Sequence, residues 1–391
     1  MTEWREQKLS DFMDFNPYTP LSKGIIAKKV TMEKLIPFNR KIQGYEDAVF
    51  SGGAKFKNGD TLVARITPCL ENGKTAYVDF LDDEEVAFGS TEFIVLRAKE
   101  GISDSRFIFY FAISDEFRDT AIQLMSGTSG RQRVDTEALK RKVFTLPPLP
   151  EQKAIAEVLS SLDDKIDLLT KQNKTLEDLA QAYFRKWFIE EARDEWITGR
   201  LGDLCEVITK GTTPTTIKKN FVNNGINFLK VESISDSGAF LEDKFMHIDE
   251  ETHNLLKRSQ LKENDVLCSI AGTIGRIARV SKEILPANVN QALAIIRAKK
   301  YFRFIYYLLK SDIFQNEIHS RIVESVQANL SLSEISSIEI AIPEELINKF
   351  ELFVAPIDDK VQNNKNQIRI LSKLRDTFLP KLISGEIRVK M

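Results

Sequence analysis

The loop SGTSGRQR at 126–133 gathers side chains suited to reading another polar molecule. Arg131 and Arg133 each carry a planar fork of donors that matches a phosphate or the O6/N7 edge of guanine. Gln132 matches the N6/N7 edge of adenine. Ser129 adds a hydroxyl that both donates and accepts. A second loop, ESVQANLS at 324–331, offers Gln327 and Asn329 in the same role. Lys28, Lys29, Lys218 and Lys219 are point charges for phosphate contact. Arg65, Lys74 and Arg276 accompany the glycine-containing turns near Gly73 and Gly275. The chemistry on offer is recognition: phosphate neutralisation combined with base-edge reading.

Groups for covalent chemistry do not assemble in the same way. An amino-methyltransferase needs an acidic or polar residue before Pro-Pro-aromatic to hold the target amine. Here Pro147-Pro148 lies in LPPLP, and Asn16-Pro17-Tyr18 lacks the second proline. No glycine-rich cofactor loop follows an early strand, and no GxxxxGK[ST] phosphate loop exists. Asp163-Asp164-Lys165 and Asp358-Asp359-Lys360 resemble the carboxylate–lysine sets of metal nucleases. Both fall in the same helical register, however, and read as a solvated helix face. Glu242-Asp243-Lys244 is a lone charge run. His247, His253 and His319 form no helical i,i+4 pair. Cys69, Cys205 and Cys268 are widely spaced and odd in number, which predicts reduced thiols rather than a disulfide framework or zinc cluster. No metal site is expected.

The elements that must position the reading loops occur twice. RFIFYFAISDEF at 106–117 recurs as RFIYYLLKSDIF at 303–314, identical at Arg106/Arg303, Phe107/Phe304, Ile108/Ile305, Tyr110/Tyr307, Ser114/Ser311, Asp115/Asp312 and Phe117/Phe314. FKNGDTL at 56–62 matches LKENDVL at 261–267. Arg97-Ala98-Lys99 matches Arg297-Ala298-Lys299, and KLSDF at 8–12 answers RLGDL at 200–204. The matches keep their order, as a duplicated unit requires.

Each half predicts a mixed, β-rich stretch with short apolar runs such as Thr61–Ile66, Phe93–Leu96 and Ala292–Ile296. A short helix follows, at 106–117 or 303–314, then the polar loop. A proline-marked break comes next, LPPLPEQ at 146–152 or IPEE at 342–345, and then a long helix. The long helices carry a 3–4 apolar seam. The first runs Leu162, Ile166, Leu169, Asn173, Leu176, Ala180, Tyr183, Trp187. The second runs Ile357, Val361, Asn364, Ile368, Leu371, Arg375, Phe378, Leu382. Packing the two stripes against each other buries both. Asn173 and Asn364 either fix the register from within the seam or sit solvated at its edge. Pro356 predicts a kink or restart after Ala355, Pro380 a kink or end near Leu379, and Gly385 the stop.

Net charge is −2, from 55 Lys+Arg against 57 Asp+Glu, which excludes a uniformly basic coat. Along the chain the charge separates. Lys210, Lys218, Lys219 and Lys230 face no acid between 210 and 230, and 20–80 is net basic, whereas both long helices begin in acidic stretches. Acid at a helix N-terminus also suits the macrodipole. No apolar run approaches the ~20 residues needed to cross a bilayer. MTEWREQKLSDF has no apolar stretch after its charges, so a secretory signal is not expected and a cytoplasmic location is.

The chain resembles the specificity (S) subunits of type I restriction–modification enzymes over essentially its whole length. The carriers are LPPLPEQKAIAEVLSSLDDKIDLL at 146–169, similar to the family's central conserved region, and LRDTFLPKLISGEI at 374–387, similar to its C-terminal one. SIAGTIGRIA at 269–278 and ANVNQALAIIRAK at 287–299 also resemble family features. The second half is two residues longer between its proline and Asp-Asp-Lys. The resemblance implies an α+β fold. Two mixed α/β target-recognition domains, 1–145 and 191–341, alternate with two spacer helices, 146–190 and 342–391, packed as an antiparallel coiled coil. It implies a non-catalytic subunit that reads a bipartite, asymmetric site in double-stranded DNA. Two methyltransferase (M) subunits would dock on the helices and methylate adenine with S-adenosylmethionine. Motor-nuclease (R) subunits would bring ATP and Mg, so this chain would hold no cofactor. The rival readings are a DNA-binding adaptor outside restriction, and a catalytic nuclease or fused methyltransferase chain.

Two expectations follow. A helix rises 1.5 Å per residue and DNA about 3.4 Å per base pair. Four residues inserted between Lys171 and Thr175 should therefore add one or two base pairs, about 6 Å, to the unread gap. Both half-sites should stay unchanged, and mapping of methylated sites checks this; an unchanged gap rejects the ruler. The near-neutral charge also predicts weak DNA binding by the chain alone and stronger binding once the methyltransferase subunits complete a clamp.

Overall fold

The computed structural model describes residues 3–128, 130–324 and 329–389. It divides into two compact units, Met1–Leu169 with Asn366–Met391, and Thr170–Lys365.

In the first unit an antiparallel sheet runs in the order Met13–Phe15, Phe93–Ala98, Thr61–Ala64, Thr75–Tyr77. A second sheet orders Glu46–Val49, Ile26–Val30, Ala87–Gly89, Ala54–Phe56, with Ile26–Val30 parallel to Ala87–Gly89. Thr61–Ala64 is buried at every position because its two faces pack into different cores. Val63, Ile94 and Leu96 join the helices, whereas Leu62 and Val95 join Val30, Phe56 and Phe93. A strand buried on both faces loses polar alternation and reads as a continuous apolar run.

The helix expected at 106–117 is two, Ser105–Ile113 and Asp115–Gln123. Ser114 is extended (φ −67°, ψ 151°), and its Oγ donates to the Phe111 carbonyl at 2.7 Å and accepts from the Phe117 amide. A serine followed by an aspartate makes a strong N-cap, and it restarts the helix in a new direction. The copy breaks identically at Ser311, between Phe302–Lys310 and Asp312–Glu324.

The second unit repeats the antiparallel sheet as Cys205–Lys210, Leu293–Ala298, Val266–Ser269, Ile277–Arg279. Its other sheet has three strands, Met246–Ile248, Ile226–Leu229, Ala287–Val289, again with one parallel pair. Each unit carries a short closing pair: Arg5–Lys8 with Val143–Leu146, and Thr198–Arg200 with Glu339–Ala341.

The long helices span Leu149–Arg185, followed by a wider π turn at Lys186–Glu190, and Glu344–Ile383. Pro356 and Pro380 do not interrupt the second helix. Both are exposed, so the carbonyl each leaves without a donor can turn to water and the helix tolerates the loss. After its end Gly385 adopts φ 76°, as a stop requires. In the second unit Asn173 meets Asn364 and Trp187 meets Phe350, so the partner index falls as the helix number rises and the pairing is antiparallel.

Among the expected seam residues Leu169, Asn173, Val361 and Asn364 are buried, while Leu162, Ile166, Leu176, Ile357, Ile368 and Leu371 are half-buried. Asn364 Nδ2 donates to Asn173 Oδ1 at 2.8 Å and to Gln172 Oε1 at 2.9 Å. The asparagines therefore sit inside the seam and not at a solvated edge.

The Asp-Asp-Lys motifs are not simply a solvated face either. Asp163 is 5% exposed; it accepts from the Tyr110 hydroxyl at 2.7 Å and from Arg375 at 2.9 Å. Asp358 is 3% exposed; it accepts from Tyr307 at 3.1 Å and pairs with Arg279 and Arg303. Burial and the facing carboxylate push both phenols above their ordinary range. Only the second aspartates, Asp164 and Asp359, and the lysines are exposed.

Burial pushes the Cys205 and Cys268 thiols up to about 12, while Cys69 is half-buried. Thiolates are the reactive form. Iodoacetamide at neutral pH should label Cys69 alone, as peptide mass mapping would read; labelling of Cys268 in the folded protein contradicts this burial. Among the described residues no helix is long and apolar enough to cross a membrane, and no group of three His, Cys, Asp or Glu is placed to hold a metal ion.

Candidate nucleic-acid interface

The polar loop of the first unit is a hairpin, Met125–Ser126 paired with Arg133–Val134. It is tied to the turn after the central strand: the Val134 amide donates to the Arg65 carbonyl at 2.9 Å, and the Thr67 amide to the Gln132 carbonyl at 3.0 Å. The Arg65 amide donates in turn to the Glu92 carbonyl at 2.9 Å. Three loop segments, 65–67, 90–92 and 132–134, therefore meet. The second unit repeats the construction with other side chains. The Leu330 amide donates to the Ile270 carbonyl at 3.0 Å, the Ile270 amide to the Ala292 carbonyl at 2.8 Å, and Ala271 bridges Asn329.

The expected contact residues are not equally available. Arg131 is exposed, and Asn329 is exposed on its bridge. Gln132 is half-buried with its carbonyl engaged. Arg133 makes a forked pair with Glu92, at 2.9 Å from Nε and 2.6 Å from one terminal nitrogen. Arg65 is half-buried, lacks an ion pair among the described residues, and has its Nε buried without a hydrogen-bond partner. Lys74 donates to the Met32 carbonyl at 2.9 Å. Arg276 binds Asp236 at 2.6 Å and the Ile234 carbonyl at 2.9 Å, so it organises a neighbouring loop. Lys28 is held by Glu85 at 2.6 Å, Lys29 by Glu46 at 2.7 Å and Lys219 by Glu251 at 2.7 Å. Lys218 is exposed, with φ 59°. Ser129 and Gln327 lie outside the described residues.

Residues that the sequence did not single out complete each face. In the first unit Tyr18, Thr19, Lys55 and Thr91 line, beside the expected Arg65, a cleft of about 410 Å³. In the second, Thr213 Oγ1 donates to Gln291 Oε1 at 2.5 Å, and Arg258 donates to Thr212 Oγ1 at 3.0 Å. One signal could have found them: Thr19-Pro20 and Thr213-Pro214 follow the first strand of the main sheet in both halves.

Two scaffolding pairs sit at the other end of the central strands from these loops. Arg97 grips Asp60 with two 2.7 Å bonds, and Arg297 grips Asp265 in the same way. Both aspartates are buried and also cap a turn, accepting from the Lys57 and Lys262 amides at 2.8 and 2.7 Å.

Comparison with known proteins agrees with this duplicated geometry. The family model for the type I restriction modification DNA specificity domain matches twice, at 1–178 and 193–377. A type I restriction enzyme specificity subunit, HindI of Haemophilus influenzae, is 24% identical over 99% of this chain and 100% of its own length. The MjaIX specificity subunit of Methanocaldococcus jannaschii is 29% identical over 75% of this chain and 71% of its own. The crystal structure of the type I restriction-modification S subunit from M. genitalium shares the fold, with a TM-score of 0.60 over 99% of this chain and 96% of that one, at 19% identity. With the model matched over both halves and the same loop framework built twice, the chain belongs to the type I restriction modification DNA specificity family, as a specificity subunit with two target-recognition domains.

Proposed function

We propose that the two recognition domains, taken as 1–145 and 191–341, read the two halves of a split, asymmetric site in double-stranded DNA. The spacer segments 146–190 and 342–391 would dock two methyltransferase subunits. The observation that carries this reading is one loop framework furnished with different side chains. Arg133 and Glu92 stand in the first unit where Asn329 and Ala292 stand in the second. Base edges are read by such side chains, so equal frameworks with unequal groups favour unequal half-sites.

Arg131 and Arg65 are the first choice for contact, because neither must abandon a carboxylate. Arg133 would exchange Glu92 for a phosphate or guanine, with Gln132 and Ser129 beside it; Asn329 and Gln327 would serve the second half. Lys218 is available for a phosphate. Lys28, Lys29, Lys74, Lys219 and Arg276 would have to leave their present partners, and so rank lower. Catalysis would belong to partners: adenine methylation with S-adenosylmethionine on the M subunits, and ATP- and Mg-dependent cleavage on motor-nuclease subunits. The assembly would work in the cytoplasm.

The test exchanges residues 1–145 for those of a relative of different specificity and maps methylated sites across the genome. One half-site should change while the other half and the gap persist. A change in both halves, or in neither, rejects the division of labour.

A further inference from the structure

The cleft of the first unit combines features that the corresponding stretch of the second, 209–214, does not carry. Asn16, Pro17, Tyr18, Thr19, Lys55, Arg65 and Thr91 line it together with Gly53, Ala54, Phe93 and Val95, giving two cations and no carboxylate. Arg65 is half-buried and without an ion pair among the described residues. A cation withdrawn from water and left unpaired calls for an anion. Lys55 Nζ stands 5.5 Å from the Tyr18 ring and 5.7 Å from the Phe50 ring, and among the described residues it too forms no ion pair.

Tyr18 itself is 86% exposed, yet its backbone is anchored on both sides. Asn16 exchanges bonds with Val95, its amide donating to the Val95 carbonyl at 2.7 Å and its Oδ1 accepting from the Val95 amide at 2.9 Å. Thr19 is 2% exposed and accepts from Arg97 at 3.0 Å. Between these anchors Pro17 restricts the chain. An aromatic ring held out on a fixed backbone is preorganised for stacking, since little further freedom is lost on contact. The corresponding stretch of the second unit, 209–214, carries no aromatic residue, and its Thr212 and Thr213 are already bonded to Arg258 and Gln291.

We propose that this cleft is a nucleotide-stacking site: Arg65 and Lys55 hold one DNA phosphate, and the Tyr18 ring wedges against an adjacent base step. The first half-site is then unstacked on binding and the second is not. Apolar or aromatic wedges of this kind convert the deformability of a base step into specificity at positions not otherwise contacted. The proposal rests on the DNA-recognition reading above.

The experiment uses the full chain in complex with its methyltransferase subunits, on duplexes carrying 2-aminopurine at successive positions of each mapped half-site. Fluorescence should rise on binding at one step of the first half-site and at none of the second. Tyr18→Ala should abolish the rise and weaken binding roughly ten-fold, while Tyr18→Phe keeps both. Arg65→Ala and Lys55→Ala should each flatten the dependence of log affinity on log salt, by up to about 0.9 for a lost phosphate contact. Tyr18 is on the surface, so its variants test the ring and not the fold. Normal site binding with no rise at any position, an equal rise in both halves, or a rise that survives Tyr18→Ala overturns the stacking site alone. A wild-type complex that prefers no sequence overturns the recognition reading and this site with it.

Discussion

Replacing Asp358 by Ala is expected to lower the melting temperature of the second unit by on the order of 10 °C, from a loss of roughly 3–5 kcal/mol. Asp358 is 3% exposed, accepts from Tyr307 and Arg279, and forms an ion pair with Arg303. Arg279 is itself 9% exposed, wedged over the Phe302 and Tyr306 rings at 5.5 and 5.8 Å. Without Asp358 that guanidinium stays buried with no counter-charge, which is far more costly than the pair is worth intact. Asp358→Ala combined with Arg279→Met should therefore recover part of the loss, since the orphaned charge goes too. Asp163→Ala should behave alike in the first unit, where Tyr110 and Arg375 lose the same acceptor. Calorimetry of the purified chain checks each. A Tm within a degree or two of wild type for Asp358→Ala would show that the buried cluster contributes little.

The same cluster shows where sequence reading stops. The duplication was legible because identities such as Arg106/Arg303 and Tyr110/Tyr307 stay in order along the chain. The seam was legible because its period is local. A run of Asp-Asp-Lys on a helix, by contrast, looks solvated from its neighbours alone. What buries Asp163 is Tyr110, 53 residues before it, and Arg375, 212 residues after it. The asparagine pair was ambiguous for the same reason: Asn173 and Asn364 bond across 191 residues. Availability for DNA was equally hidden. Lys28 looks like a free cation until Glu85 is folded against it, 57 residues on. Arg65 is the opposite case, an ordinary turn arginine in sequence that folding leaves half-buried and, among the described residues, without an ion pair. Pro356 misled because a proline's cost depends on whether the freed carbonyl can reach water, and that is set by which helix face the tertiary packing leaves open.

The two buried salt bridges Arg97–Asp60 and Arg297–Asp265 give the second large effect and an internal control. Asp60 and Asp265 are 0% and 1% exposed, and each receives two 2.7 Å bonds from its arginine. Forked, buried pairs of this kind are the strong ones, and removing one partner strands the other. Arg97→Ala and Arg297→Ala should each destabilise their own unit by about 3–5 kcal/mol. The duplicated geometry requires the two losses to agree, because turn, acceptor and distances are the same. Their functional effects should differ. Arg97 also donates to Thr19 at 3.0 Å, which anchors the segment bearing Tyr18, whereas the extra bond of Arg297 goes to the Gln260 carbonyl at 3.3 Å. At a temperature where both variants remain folded, Arg97→Ala should reduce methylation at the mapped site more than Arg297→Ala does. Calorimetry gives the stabilities, and methyl-transfer rates by the reconstituted complex give the function. Equal stability losses with equal rates would detach Arg97 from the reading face. Unequal stability losses would show that the two units, alike in these bonds, differ in the packing that surrounds them.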